Sequence, residues 1–314
     1  MDLKAGPRGK GAFAPNETVT CDYVRKVMKG RSPKFTCRIS EGDEVKVKYG
    51  PNNGEVYGEV AATRLLWALG FGADRMYPVR VVCRGCPPDP RQDPAGRPGE
   101  VVFDPAAIER KMPGEVLETE EDSGWAWPDL DLVDEAAGGA PRAHRDALKL
   151  LGAFLQHTDS KPAQQRIVCV SKDLSKDAAK EGDPCRDPFL MLSDVGLTFG
   201  HANVFNRNTP GSVNFEEWSQ TRVWKDPAQC VADLRKSWTG TLENPRIGEG
   251  GRKFLADLLT QLSDAQLHDL FEVARFSRRS KTVGGGPDAM TTDGWVDVFK
   301  RKRGEVVNHT CPQS

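Results

Sequence analysis

The chain has no excess of either charge: 44 Lys and Arg stand against 45 Asp and Glu, a net charge of -1 over 314 residues. That balance argues against a nucleic acid or an acidic membrane surface as a general partner. No uninterrupted apolar run reaches the roughly 20 residues of a membrane-spanning helix. The N-terminus, MDLKAGPRGKGAFAP, lacks the apolar core of a signal peptide. Its Gly-Lys pair has neither the G-x-x-x-x-G-K-[ST] spacing nor a preceding strand, which excludes a P-loop. Residues 1–16 therefore read as a flexible, solvated arm. Cys83-Arg84-Gly85-Cys86 finds no second C-x-x-C or H-x-H to complete a zinc site. Gly284-Gly285-Gly286-Pro287 follows no strand and reads as a linker. There is no internal repeat.

What is present is enough length to bury a substantial core, in one large domain or two parts. There are eight cysteines, an even number. Cys21 with Cys37, Cys83 with Cys86 and Cys169 with Cys185 each bracket a loop or turn, a pattern compatible with four disulfides. Bridges persist outside the reducing cytosol, so cysteine usage favours an extracytoplasmic protein, periplasmic or secreted. The other reading is eight buried thiols in a cytosolic chain.

From Val19 to Gly50 the pattern is β. Lys34–Ser40 and Glu44–Tyr49 alternate around a Gly42-Asp43 turn, with Val45, Val47 and Tyr49 on one face and Lys46 and Lys48 on the other. A helix follows over Gly54–Leu69, stopped by Gly70. Glu55 in its first turn is explained by the helix dipole. Glu59, one turn further on, flanks the apolar stripe and is either exposed or functional. Tyr77–Cys83 is a strand, Pro87–Gly99 a breaker-rich loop, and Glu100–Phe103 a short strand. Gly138–Pro141 opens a helix whose Ala147, Leu148, Leu150, Leu151, Phe154 and Leu155 form a wide apolar face. Arg166–Val170 and Phe189–Leu192 are short strands flanking a charged segment. The later chain is helical, with an apolar face at Leu255, Leu258, Leu259 and Leu262 and a capping box at Ser263–Gln266. The basic Lys300-Arg301-Lys302-Arg303 reads as a solvated helix end.

The organising stretch is Leu155–Gln165, LQHTDSKPAQQ, which sets His157, Asp159, Lys161 and Gln164 in the order H-x-D-x-K-x-x-Q. Downstream comes Ser193-Asp194-Val195-Gly196, a D-x-G. Taken alone, HTDSKP reads as a polar turn. Together the motifs resemble the catalytic loop H-R-D-x-x-x-x-N and the metal-binding D-x-G of protein kinases. The resemblance is to the atypical branches of the kinase-like fold, the HipA-like and lipid-kinase-like bacterial kinases, over roughly Gly30–Gly196.

The resemblance implies an α+β, two-lobed fold. An N-lobe over 17–117 would carry antiparallel strands and one helix, and a mainly helical C-lobe over 118–314 would carry the catalytic loop. The passage between them would lie around Ile108–Leu117. It implies ATP and magnesium as cofactors and a hydroxyl-bearing acceptor as second partner. Asp159 would be the base, Lys161 would neutralise the transferred phosphoryl group, and Asp194 with Gln164 would hold metal. Lys48 would bind phosphates, with Lys46 as competitor, and Glu59 would position that lysine. The Gly30-Arg31-Ser32-Pro33 turn, with Ser32, would cover the phosphates. The chain departs from the pattern at Gln164, where Asn is expected, at Val195, where Phe is usual, and in lacking a full G-x-G-x-x-G. A binding protein of the pseudokinase type and a disulfide-stabilised secreted interaction module remain the alternatives.

Overall fold

Alternation in the first third of the chain closes into a barrel. The computed structural model describes residues 2–117, 124–170, 185, 187–200, 213–280 and 291–312. The strands β1 (Thr18–Val24), β2 (Lys34–Ser40) and β3 (Asp43–Tyr49) precede the helix α1 (Glu55–Ala68). Then come β4 (Gly72–Ala73), β5 (Arg75–Arg84) and β6 (Glu100–Arg110). The barrel runs β1-β2-β3-β6-β5, antiparallel throughout except where β1 closes it parallel to β5. Period-2 alternation sends Phe35, Cys37, Val45, Val47, Tyr49, Phe103 and Ile108 into its apolar interior. The opposite face of β3 therefore presents Lys46 and Lys48. The β2–β3 turn needs Gly42, whose φ of 74° is left-handed.

Outside the barrel, α1 is buried from Val56 through Leu66. It joins a second core made with the rest of the chain. That part contains β7 (Glu115–Val116), α2 (Arg142–Leu155), β8 (Gln165–Cys169), β9 (Pro188–Leu192), α3 (Phe215–Gln220), β10 (Trp224–Asp226) and β11 (Val231–Ala232). The helices α4 (Glu249–Thr260), α5 (Asp264–Val273), α6 (Phe276–Ser280) and α7 (Thr292–Val307) complete it. A small sheet, β4-β9-β8-β7, pairs the strands flanking the charged segment. The architecture is thus mixed α+β. No described helix is long and apolar enough to cross a membrane.

Four disulfides join Cys21–Cys37, Cys83–Cys86, Cys169–Cys185 and Cys230–Cys311. The capping box is present: Ser263 Oγ accepts from the amide of Gln266, and the Gln266 side chain accepts from the amide of Ser263.

Three expectations are corrected. The first sixteen residues are not a solvated arm: Leu3 is buried, and the carbonyls of Leu3 and Pro7 accept from Arg64 Nε at 3.1 Å and Tyr77 Oη at 2.8 Å. The segment supplies acceptors that buried Arg64 and Tyr77 need, a role that side-chain patterning does not reveal. The strand begun at Glu100 does not stop at Phe103 but runs to Arg110. A register shift opposite Asp104-Pro105 absorbs the proline, which has no N–H to give the ladder. Ile108–Arg110 therefore belong to the barrel and not to a connecting passage. The basic run near the C-terminus is only partly solvated: Lys302 is fully buried over the Trp218 ring, and Arg303 donates to the carbonyls of Leu259 and Leu262. The Asn-rich segment from His201 to Pro210 and the Gly284–Pro287 linker lie outside the described residues.

Candidate functional site

Strand register decides what surrounds Lys48. It stands opposite Lys34 on β2 and Ala107 on β6, two residue pairs along from Lys46 opposite Glu109. The helix α1 crosses this face and brings Glu55 and Glu59, four residues apart and so on one side. The Lys48 ammonium lies 2.8 Å from Glu55 Oε2, 2.6 Å from Glu59 Oε2 and 4.0 Å from both Glu109 Oε2 and Asp194 Oδ1. The Glu55 and Glu59 contacts are close charge pairs and not well-aligned hydrogen bonds. Lys48 and Glu59 are each 1% exposed.

Lys48 stands among four carboxyl groups whose acidities are forced apart. Burial disfavours the Lys48 ammonium, but Asp194, Glu55, Glu59 and Glu109 together push its pKa well above the ordinary value. Burial drives Glu59 the same way, well above the carboxylate range, with Asp194 and Glu55 adding to it against the pull of Lys48. Asp194 goes down. Burial resists this, but Lys48, Lys46, the Gly196 amide and the Glu59 side chain hold it well below its usual range. Burial and the neighbouring carboxylates thus push Glu59 up, while the lysines and the Gly196 amide hold Asp194 down. Glu109 is lowered to about 2: burial opposes this, and Lys46, Lys111 and Lys48 outweigh it.

A second group forms at the end of α2. Gln156 takes a left-handed conformation, φ 58°, and turns the chain out of the helix. Backbone bonds then stitch the loop to the D-x-G segment. Thr158 N donates to Leu197 O at 3.1 Å, Phe199 N to Leu155 O at 2.6 Å, and Ser193 N to Gln164 O at 2.8 Å. Asp194 N also reaches Gln164 O, at 3.4 Å. Within the loop, Gln164 Nε2 donates to Asp159 Oδ2 at 3.0 Å, and Lys161 Nζ lies 3.4 Å from the same oxygen. Asp159 Oδ1 accepts from Ser237 Oγ at 3.5 Å. Ser160 is fully buried, and its hydroxyl accepts from the amide of Leu242. This turn is anchored on both sides.

His157 is 1% exposed, and neither ring nitrogen has a hydrogen-bond partner among the described residues. Burial lowers its pKa to about 4, against weaker upward pulls from Asp159 and Asp194. It is a neutral packing residue that shares the neighbourhood of both aspartates.

The structure thus brings Lys48, Glu59 and Asp194 together and groups Asp159, Lys161 and Gln164 beside them through the backbone of Gln164. Lys46 pairs with Glu109 at the edge of the same cluster, 2.7 Å from its Oε1. Ser32 is buried in its turn with its carbonyl held by Arg91, and no described contact links it to the Lys48 group. Reasoning from sequence missed two acidic members. Glu55 was assigned to the helix dipole, yet it touches Lys48; its spacing of four from Glu59 was the available signal. Glu109 gave no signal, because its place depends on the β3–β6 register. Two sulfur clusters, Cys21–Cys37–Cys83 and Cys230–His309–Cys311, have metal-ligand spacing. Their sulfurs are in disulfides, so they offer no thiolate donors.

No family model matches the chain, and no curated protein matches it. Among solved structures, a Helicobacter pylori proinflammatory kinase, CtkA, is similar over 94% of this chain and 96% of its own, with 10% sequence identity and a TM-score of 0.47. What the site does must come from its own geometry.

Proposed function

We propose that the chain is a two-lobed, kinase-like phosphotransferase, dependent on ATP and magnesium, that acts on a hydroxyl acceptor. The observation that carries this reading is the buried Lys48, held between Glu55 and Glu59 and 4.0 Å from Asp194. A buried ammonium whose contacts are poorly aligned keeps donor capacity for a further anion. Asp159 is tied to the same cluster, its side chain bonded to Gln164, whose carbonyl accepts from the Asp194 amide.

In this reading Lys48 orients the phosphates, and Glu55 and Glu59 fix its position. Phosphoryl transfer needs mostly such placement and charge neutralisation. Asp194 and Gln164 offer hard oxygen donors that fit magnesium: Asp194 is held ionised with its side chain 29% exposed, and the hydrogen bond that Gln164 Nε2 donates to Asp159 leaves the Gln164 side-chain oxygen available. Bound there, magnesium would neutralise charge on the phosphates. Asp159 Oδ2 is occupied by Gln164 and Lys161, while Oδ1 carries only the long 3.5 Å contact from Ser237 Oγ among the described residues, so Oδ1 is the atom that receives the proton of the acceptor hydroxyl. Lys161 balances negative charge nearby. The four disulfides support a periplasmic or secreted location.

A pseudokinase-type binding role is the second reading, favoured by one observation: Gln164 and Lys161 converge on the same Asp159 oxygen. Transfer of labelled phosphate from ATP to water or to the chain itself, measured beside ATP affinity, separates the two. Asp159→Asn should bind ATP like the wild type and transfer phosphate slower by a factor of about 10²–10⁴, the usual worth of general-base help. Wild-type binding without any transfer would favour the pseudokinase reading.

A further inference from the structure

Beside the Lys48 cluster stands a cation that the reading above does not use. Lys34 opens β2 directly opposite Lys48, and because Phe35 and Cys37 point into the barrel, Lys34 shares the outer face with Lys48. Like charges placed opposite each other across a ladder are destabilising. Lys46, Lys48 and Lys111 each have a carboxylate within 3.1 Å. Lys34 has no hydrogen bond or ion pair among the described residues, although it is half-buried. Its ammonium sits beneath the Gly30–Pro33 turn: a Cβ on Gly30 would lie 2.9 Å from Lys34 Nζ. That turn is pinned from behind, because Arg91 Nη1 donates to the carbonyls of Gly30 at 3.2 Å and Ser32 at 3.1 Å. Gly30 itself is left-handed, φ 91°. Burial is the first influence lowering the Lys34 pKa and Lys48 the second, while Glu55 and Asp194 pull the other way. Lys34 therefore lies in the field of the same charge cluster.

We propose that Lys34, roofed by the Gly30 turn, is a second phosphate-binding cation, so that Lys34 and Lys48 together take a polyphosphate tail. The inference rests on the nucleotide reading above and deepens it. An unmatched ammonium directly opposite the paired Lys48 suits a ligand with more than one negative group. A lysine beneath a short turn supplies the neutralisation that backbone amides of a G-x-G-x-x-G loop would otherwise give. A polyphosphate brings the counter-charge that Lys34 lacks.

The test is titration calorimetry with adenosine, ADP and ATP, magnesium chloride present throughout, on wild type, Lys34→Met and Lys34→Arg. The ATP-over-adenosine preference should fall about 10-fold or more in Lys34→Met, as expected for loss of a charged hydrogen bond. Adenosine affinity and melting temperature should stay near wild type, because Lys34 has no internal partner to lose. Lys34→Arg should keep most of the preference. A wild type that binds ATP, with Lys34→Met binding it equally well, overturns this inference and leaves the function standing. Equal losses for adenosine and ATP, with a lowered melting temperature, would mean a structural lysine and also overturn it. A wild type that binds no nucleotide removes both proposals.

Discussion

At the residue scale, the acidic side chains around Lys48 show what a linear motif can and cannot disclose. The proximity of Lys48, Glu59 and Asp194 was legible because a strand-ending lysine, a helix-borne carboxylate and a D-x-G come in a fixed order. Glu109 was not legible, because cross-strand partners follow from register, and register is settled by packing. His157 gives a prediction independent of any activity. Its folded pKa, about 4, lies below the ordinary 6.5, so the unfolded chain binds the proton more tightly. Stability is therefore lost as pH falls from about 6.5 towards 4 and is level above that window. At 1.36 kcal/mol per unit, the loss amounts to about 3 kcal/mol. Denaturant midpoints taken at pH 4 and pH 7 should show that difference in the wild type, and the His157→Phe variant should lack this share of it. An unchanged slope in the variant would place the acid sensitivity elsewhere.

At the scale of elements, the helix α1 and the D-x-G segment pack so closely that two glycines lie between them. A Cβ on Gly196 would lie 2.6 Å from Glu55 Cγ, and one on Gly58 would lie 3.3 Å from the Gly196 carbonyl. Gly196→Ala should thus push Glu55 off Lys48 and destabilise by about 1–3 kcal/mol, the usual cost of overpacking. Adding Glu55→Ala should recover much of that loss, so a double-mutant cycle should show coupling. Simple additivity would contradict the contact. The strands and helices themselves were readable where alternation or a wide apolar face ran unbroken, as in Lys34–Tyr49 and Arg142–Leu155. They were misread where a bulge carried Pro105 through a strand. They were misread again where residues 1–16 bind through backbone carbonyls, which leave no trace in side-chain order.

At the scale of the whole molecule, the bridges tie distant parts of the chain. Cys230–Cys311 spans 81 residues, against 16 for Cys169–Cys185. Loop-closure entropy makes the first worth about 4–5 kcal/mol and the second about 3. Replacing both cysteines of the long bridge by alanine should cost more stability than doing so for the short one. Thiol titration of the unreduced, unfolded wild type should find no free cysteine, as the pairing leaves none. Eight titratable thiols would remove the disulfides and the extracytoplasmic proposal with them.

The proposed function requires Lys48, Glu59 and Asp194 to hold a nucleotide through a magnesium-dependent carboxylate. Calorimetric titration of ATP, with and without magnesium chloride, into wild type and Asp194→Asn tests it most directly. The account predicts that magnesium strengthens ATP binding to the wild type and that this strengthening is lost in Asp194→Asn. No ATP binding by the wild type, or binding whose response to magnesium is indifferent to Asp194, would contradict it.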